Sequence, residues 1–152
     1  MEISLRQYAP AERTPQLVAA LVEIWEASVR ATHHFLSPAE IAQIKPEVPQ
    51  ALAAVAQLLV AEDTDGRPLG FLGAEDQQLE MLFLAPNARG QGLGRRMMEY
   101  AMQHYSVCEL TVNEQNPQAV AFYTHLGFHP HHRTPKDEHA RPYPLLYLRL
   151  PE

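Results

Sequence analysis

The stretch from Leu82 to Met102 reads LFLAPNARGQGLGRRMMEYAM. An apolar run stops at Pro86, Arg89 follows, glycines stand at positions 90, 92 and 94, and a helical pattern then begins. A strand feeding a helix through a glycine corner suits a phosphate. The first turn of a helix carries N–H groups without intrahelical partners, at the positive end of its dipole. Glycines clear Cβ atoms from the path of the phosphate oxygens. Arg89, Arg95 and Arg96 add charge-assisted contacts, with one or two of them left to solvent. A Walker A loop is excluded, because no Lys-Ser or Lys-Thr follows these glycines. A dinucleotide fingerprint fits poorly, since the spacing is Gly90-x-Gly92-x-Gly94 and the corner lies past the middle of the chain. The competing reading is a tight turn that binds nothing.

Outward from that corner, the chain divides into short elements. ISLRQY alternates as a first strand. Thr14-Pro15 starts a helix that carries Leu17, Leu21, Ile24, Trp25 and Ser28 at helical spacing to about Ala31. Ser37-Pro38-Ala39-Glu40 is a capping box, so a second helix starts at Pro38. Pro46 and Pro49 leave the next stretch open, with QALAAVAQ as a helical turn or two. LLVAED, LGFLGAE and QLEMLFLA are three strands of a meander, turned at DTDGRP and EDQQ. A helix runs from Leu93 with Met97, Tyr100, Ala101 and His104 on one face. VCELTV at 107–112 is a further strand, Asn116-Pro117 caps another helix, and Gly127 ends it. FHPHHR and YPLLYLRL close the chain. The order β-α-α-β-β-β-α-β-α-β-β predicts an α/β (α+β) fold with a mixed, mostly antiparallel sheet flanked by helices.

The 152 residues suggest one domain, and 46% hydrophobic residues suffice for its core. A formal net charge of -6 argues against a nucleic-acid binder and suits a cationic substrate. Cys108 is the single cysteine, so no internal disulfide forms; it reads as a buried residue inside a strand. The N-terminus has no signal-peptide pattern and no apolar run is long enough to span a membrane. A cytoplasmic protein without membrane partners is the expectation, as monomer or homodimer, since PYPLLYLRL can close the sheet within one chain or pair with a neighbour. His129, His131 and His132, with His125 and His139 nearby, invite a metal reading. They span a strand and a Pro-rich loop in alternating directions, so no metal site is expected.

Two segments together point to a family. RGQGLG at 89–94 and NPQAVAFYTHLGF at 116–128 resemble the acyl-CoA loop and the Asn-x-x-Ala-x-x-Phe-Tyr-x-x-x-Gly-Phe segment of the GNAT acetyltransferase superfamily. The element order matches over nearly the whole chain, and WEASVRATHHFLS and PYPLLYL look like a bacterial branch of its small members. The resemblance implies an N-acetyltransferase that moves an acetyl group from acetyl-CoA directly to a primary amine, on a small molecule or a peptide. The alternative is a silent CoA-binding sensor or regulatory module.

The resemblance also implies roles. Leu82, Phe83 and Leu84 would line the pantetheine arm, with the Leu84 N–H on the thioester carbonyl. Arg89, Gly90, Gln91, Gly92, Leu93, Gly94 and Arg95 would hold the pyrophosphate. Asn116 would touch the cofactor, cap its helix, or both. Tyr123 would touch the cofactor too and protonate the departing sulfur; its plain alternative is core packing beside Phe122 and Leu126. The family often places a glutamate where this chain has Gln78, which cannot serve as a base. Glu80, two residues on, shares its face on an unbulged strand, either as a base acting through water or as a solvated carboxylate. His33 and His34 are the other candidates, unless THHFLS is only a connecting corner. Trp25 and Tyr143 either line the acceptor pocket or pack in the core. Acceptor choice is expected to reside in WEASVRATHHFLS, residues 46–57 and the 130–143 loop.

Overall fold

Local chemistry sets most of the element boundaries. In a computed structural model, which describes residues 2–151, β1 is Ser4–Gln7 and α1 is Pro15–Thr32. The Thr14 hydroxyl accepts the Leu17 N–H at 3.1 Å and so caps α1. The capping box forms at α2, Pro38–Ile44: Ser37 Oγ accepts the Glu40 N–H at 3.1 Å and Glu40 accepts the Ser37 N–H at 3.0 Å. The stretch that its prolines left open contains a third helix, α3, Val48–Ala54, with Pro49 in the first turn where its missing N–H does no harm.

The meander follows as β2 (Gln57–Glu62), β3 (Pro68–Glu75) and β4 (Gln78–Leu84). Asp76 and Gln77 join β3 to β4 as a two-residue turn with φ of 50° and 69°, the left-handed geometry that matches strand twist. After the glycine corner come α4 (Leu93–His104), β5 (Glu109–Asn113), α5 (Pro117–His125), β6 (His129–Thr134) and β7 (Leu145–Arg149).

The sheet order is β1-β2-β3-β4-β5-β7-β6, and among the described residues only the β4–β5 pairing is parallel. The C-terminal strand β7 therefore inserts between β5 and β6 of its own chain, so YPLLYLRL closes the sheet internally. Both faces of the sheet are covered. Leu59, Leu72, Leu79 and Leu110 pack with Met97, Met98 and Tyr123 of α4 and α5, while Leu58, Val60 and Phe71 pack with Leu21, Trp25 and Leu52 on the other side. Trp25 and Tyr143 are both buried. Among the described residues no helix is long and apolar enough to cross a membrane.

Cys108 departs from expectation. It is half-buried and immediately precedes β5, with its N–H on the Gln77 carbonyl at 2.9 Å and its own carbonyl accepting the Leu150 N–H at 2.9 Å.

A buried arginine ties α3 to the sheet edge. Arg13 donates to the carbonyls of Leu52 (3.0 Å), Ala53 (3.2 Å), Val55 (2.6 Å), Ala56 (3.2 Å) and Tyr8 (3.1 Å). It supplies donors to carbonyls at and beyond the C-terminal turn of α3, which the helix itself leaves unpaired. Arg13→Met leaves those carbonyls without their donor, and a loss of about 2 kcal/mol is expected. Thermal unfolding should then fall by roughly 4–8 °C. An unchanged midpoint would show that the guanidinium is not an anchor.

Candidate active site

The site is built around a strand that loses its neighbour. β4 and β5 pair only through Gln78↔Glu109 and Leu79↔Leu110, after which they part. On its other side β4 stays on β3 as far as Gly70↔Leu84. The Ala85 N–H donates to the Leu69 carbonyl at 2.8 Å. N–H groups alternate sides along a strand, so those of Leu82 and Leu84 face away from β3, into the gap.

The glycine corner stands at the end of that gap. Gly92 caps α4 with φ of 77°, and Gly90 has φ of 78°, a conformation that L side chains resist. A Cβ built on either meets nothing within 4 Å, so the space beside them is open. Arg96 N–H bonds the Gly92 carbonyl at 3.1 Å, and the N–H groups before it in the first turn lie ahead of the ladder. Gly94 is different. A Cβ there would press on Phe122 Cζ at 3.3 Å and Leu84 Cδ1 at 3.6 Å, so its bareness serves the packing of α4 against α5.

One groove collects most of the expected cofactor residues. Leu82, Phe83, Leu84, Arg89, Gly90, Gly92, Leu93, Gly94, Arg95, Asn116 and Tyr123 all line it. Arg89 Nη2 donates to Gln118 Oε1 at 3.1 Å, which holds the guanidinium beside α5. Gln91 does not line the groove; its Nε2 bonds the Asn87 carbonyl at 3.3 Å. Arg96 lines a separate hollow with Glu2, Ser4 and Asp63. Asn116 acts as a cap, its Oδ1 accepting the Ala119 N–H at 3.3 Å, while the residue also lines the groove.

Tyr123 is 8% exposed and packs edge-on to Phe122 and Phe128, with ring centroids at 5.1 and 6.3 Å. It is thus both a core residue and a wall of the groove. Burial alone pushes its phenol above the ordinary value, so the protonated form is held.

A second cleft lies on the far side of Tyr123. It is lined by His33, Glu80, Thr111, Asn113, Asp137, Glu138 and His139, among others. Glu80 enters it through a β-bulge. Gly73 pairs with Met81 and Ala74 with Leu79, which makes Glu80 the extra residue. The simple alternation that relates it to Gln78 therefore fails, and the bulge re-aims the strand at this point. Partial desolvation, then the carboxylates of Glu138, Glu75 and Asp76, raise the Glu80 pKa and make it a better proton acceptor than a free carboxylate. Gln78 is exposed, with its Nε2 at 3.4 Å from Glu109.

The loop between β6 and β7 supplies the opposite wall. Asp137 Oδ1 accepts the N–H groups of His139 (2.9 Å) and Arg141 (2.8 Å), which folds the loop on itself. Arg141 reaches Glu47 at 3.4 Å and so ties the loop to the α2–α3 region. Residues 46–57 stay outside the lining, as do Trp25 and Tyr143, whereas the 130–143 loop enters it. His34 is exposed and lines neither cleft, but His33 lines both. His33 sits between Phe35 and Phe83, with ring centroids at 5.4 and 6.4 Å, and burial followed by the charge of His34 lowers its pKa to about 4. It is neutral at physiological pH. His129, His131 and His132 lie on exposed β6, and the described residues contain no group of three or more side chains arranged to hold a metal.

Asp137, Glu138, Ser28, Thr32 and Gln118 line the clefts too, although the sequence assigned none of them an individual role there. Ser28 and Thr32 stand one turn apart on α1, whereas Asp137 and Glu138 reach their cleft from a loop without periodicity.

These features agree with comparison to known proteins. Residues 23–145 match the Acetyltransferase (GNAT) domain model. The peptidyl-lysine N-acetyltransferase YjaB of Salmonella typhimurium is 40% identical over 131 residues, covering 86% of this chain and 90% of that protein. YjaB of Escherichia coli is 41% identical, covering 84% of this chain and 86% of the relative. The solution structure of apo YjaB from Escherichia coli superposes with a TM-score of 0.85 at 38% identity, covering 98% and 97% of the two chains. The fold is shared more distantly with a PaiA N-acetyltransferase from Thermoplasma acidophilum solved with coenzyme A, at a TM-score of 0.69 and 19% identity over 98% and 99% of the chains. On the strength of the family match and of these identities, the chain belongs to the GNAT acetyltransferases.

Proposed function

We propose that this acetyltransferase moves the acetyl group of acetyl-CoA directly to the side-chain amine of a lysine in a peptide or protein. The observation that carries the reading is the junction of two clefts. His33, Leu82, Phe83, Asn116, Ala119 and Tyr123 line both of them. A donor in the groove and an acceptor in the cleft thus meet at Tyr123. The named relatives act on peptidyl lysine, and the acceptor cleft suits that substrate, because Glu80 and Glu138 present carboxylates to a cationic side chain.

When bound, acetyl-CoA supplies the acetyl group as a thioester. The Leu84 N–H, pointing into the gap, donates to the thioester carbonyl and stabilises the charge that grows there on attack. The first-turn N–H groups of α4, with Arg89 and Arg95, hold the pyrophosphate. Glu80 takes the amine's proton, directly or through water, and His33 orients the amine from the other side. Tyr123 delivers its proton to the departing sulfur.

Thiol release from acetyl-CoA in the presence of lysine-containing peptides tests this directly. Silence with every peptide and every free amine, despite tight CoA binding, would favour a sensor. Charge reversal in the cleft gives a finer check. Glu138→Lys is expected to raise KM for a lysyl peptide about tenfold, the worth of one nearby charge at partial exposure, while CoA affinity holds. Equal KM values would mean that the acceptor does not pass this loop.

A further inference from the structure

The end of α1 holds a hydrogen-bond chain with one consistent proton arrangement. Thr32 Oγ1 lies 2.8 Å from the Ser28 carbonyl and 2.8 Å from His33 Nδ1. A hydroxyl has a single proton. The Ser28 carbonyl can only accept, so the threonine proton belongs on that contact, an i−4 back-bond along the helix. The Nδ1 contact is then satisfied only if Nδ1 carries the imidazole proton and donates it to Thr32. In a neutral ring the lone pair is left on Nε2. The rest of the residue is equally fixed. The His33 N–H bonds the Val29 carbonyl at 2.8 Å, and the ring lies between Phe35 and Phe83.

We propose that Thr32 is a positioning residue that sets the His33 tautomer, so that Nε2 serves as a hydrogen-bond acceptor for the attacking amine at the junction of the two clefts. The role rests on the amine-acetylation reading given above. It divides the work at the site. Glu80 carries the charge and receives the proton, whereas His33 stays neutral and directs one N–H of the amine, leaving the nitrogen lone pair free to face the thioester carbonyl. The low pKa of His33 supports this division, since a cationic ring would repel the ammonium of an arriving lysine.

The test combines tautomer and rate. Nitrogen-15 NMR of histidine-labelled protein should show His33 with a protonated Nδ1 and an unprotonated Nε2. Thr32→Val should shift those resonances toward a tautomer mixture and lower kcat with a lysyl peptide about tenfold. Thr32→Ser keeps the hydroxyl and should restore both. A His33 ring protonated on Nε2 in the unaltered protein would overturn the assignment, and so would a Thr32→Val variant that keeps full kcat. Absence of turnover in the unaltered protein with every lysyl peptide would instead bring down the acetylation reading, with the spectra reporting the tautomer independently.

Discussion

Replacing Tyr123 with phenylalanine is expected to lower kcat by about a thousandfold, within the usual range for loss of a positioned proton donor. The ring would still fill its place against Phe122 and Phe128, so the core should keep its packing. Coenzyme A affinity should change by no more than about twofold, because only one hydroxyl is removed and the proposed pyrophosphate grip at the corner is untouched. The upward shift of the Tyr123 pKa fixes the sign of its pH behaviour. A raised phenol pKa keeps the proton in place at neutral pH and carries its loss to more alkaline conditions than an exposed tyrosine shows. Steady-state thiol release alongside CoA titration separates the two effects. A phenylalanine variant at full rate would leave Tyr123 as a core residue only.

The second large effect concerns the corner itself. Gly92→Leu is expected to weaken coenzyme A binding about a hundredfold, close to 2.7 kcal/mol. The added side chain occupies the open space beside the first turn of α4 and denies the pyrophosphate its N–H groups. Part of any effect will be backbone strain, since φ is 77° and a non-glycine residue there costs about 1–2 kcal/mol of stability. Gly66 is the matched control. Its φ is 78°, a Cβ on it also meets nothing within 4 Å, and it sits in the β2–β3 turn. Gly66→Leu should reproduce the loss of stability and leave Kd for coenzyme A alone. Equal weakening in both variants would assign the effect to lost stability, and a Gly92→Leu variant that binds as the unaltered protein does would show that the corner does not hold the pyrophosphate. Gly94 makes a poorer probe, because its substitution disturbs Phe122 first.

The parts of this protein that could be read from sequence are those whose cause is local. The Ser37 box, the Asn116-Pro117 cap and the glycine corner each need only a few neighbouring residues, and each is found where it was expected. What escaped depends on remote partners. Glu80 looked like the next residue on the face of Gln78, yet its position is set by where β3 pairs, and the slip between Gly73 and Ala74 changes that phase. Cys108 carries a strand-like pattern, but its half-buried place just before β5 is set by Gln77 and Leu150, residues remote from it in the sequence. Glu138 lies in a loop without periodicity, and the Arg141–Glu47 ion pair that ties this loop down joins residues 94 positions apart. The acceptor side is therefore harder to read than the donor side. One is a stretch of chain, the other a meeting of several.

The parting of β4 and β5 has a consequence for the resting molecule. Two strand borders face each other across an opening at the centre of the sheet, where an uninterrupted sheet is most firmly knit. On the reading proposed above, acetyl-CoA would lie in that seam and mend the fold as well as serve the chemistry. The loaded form would then be the more cohesive, the compound consumed at each turnover doubling as a removable rung of the protein's own ladder.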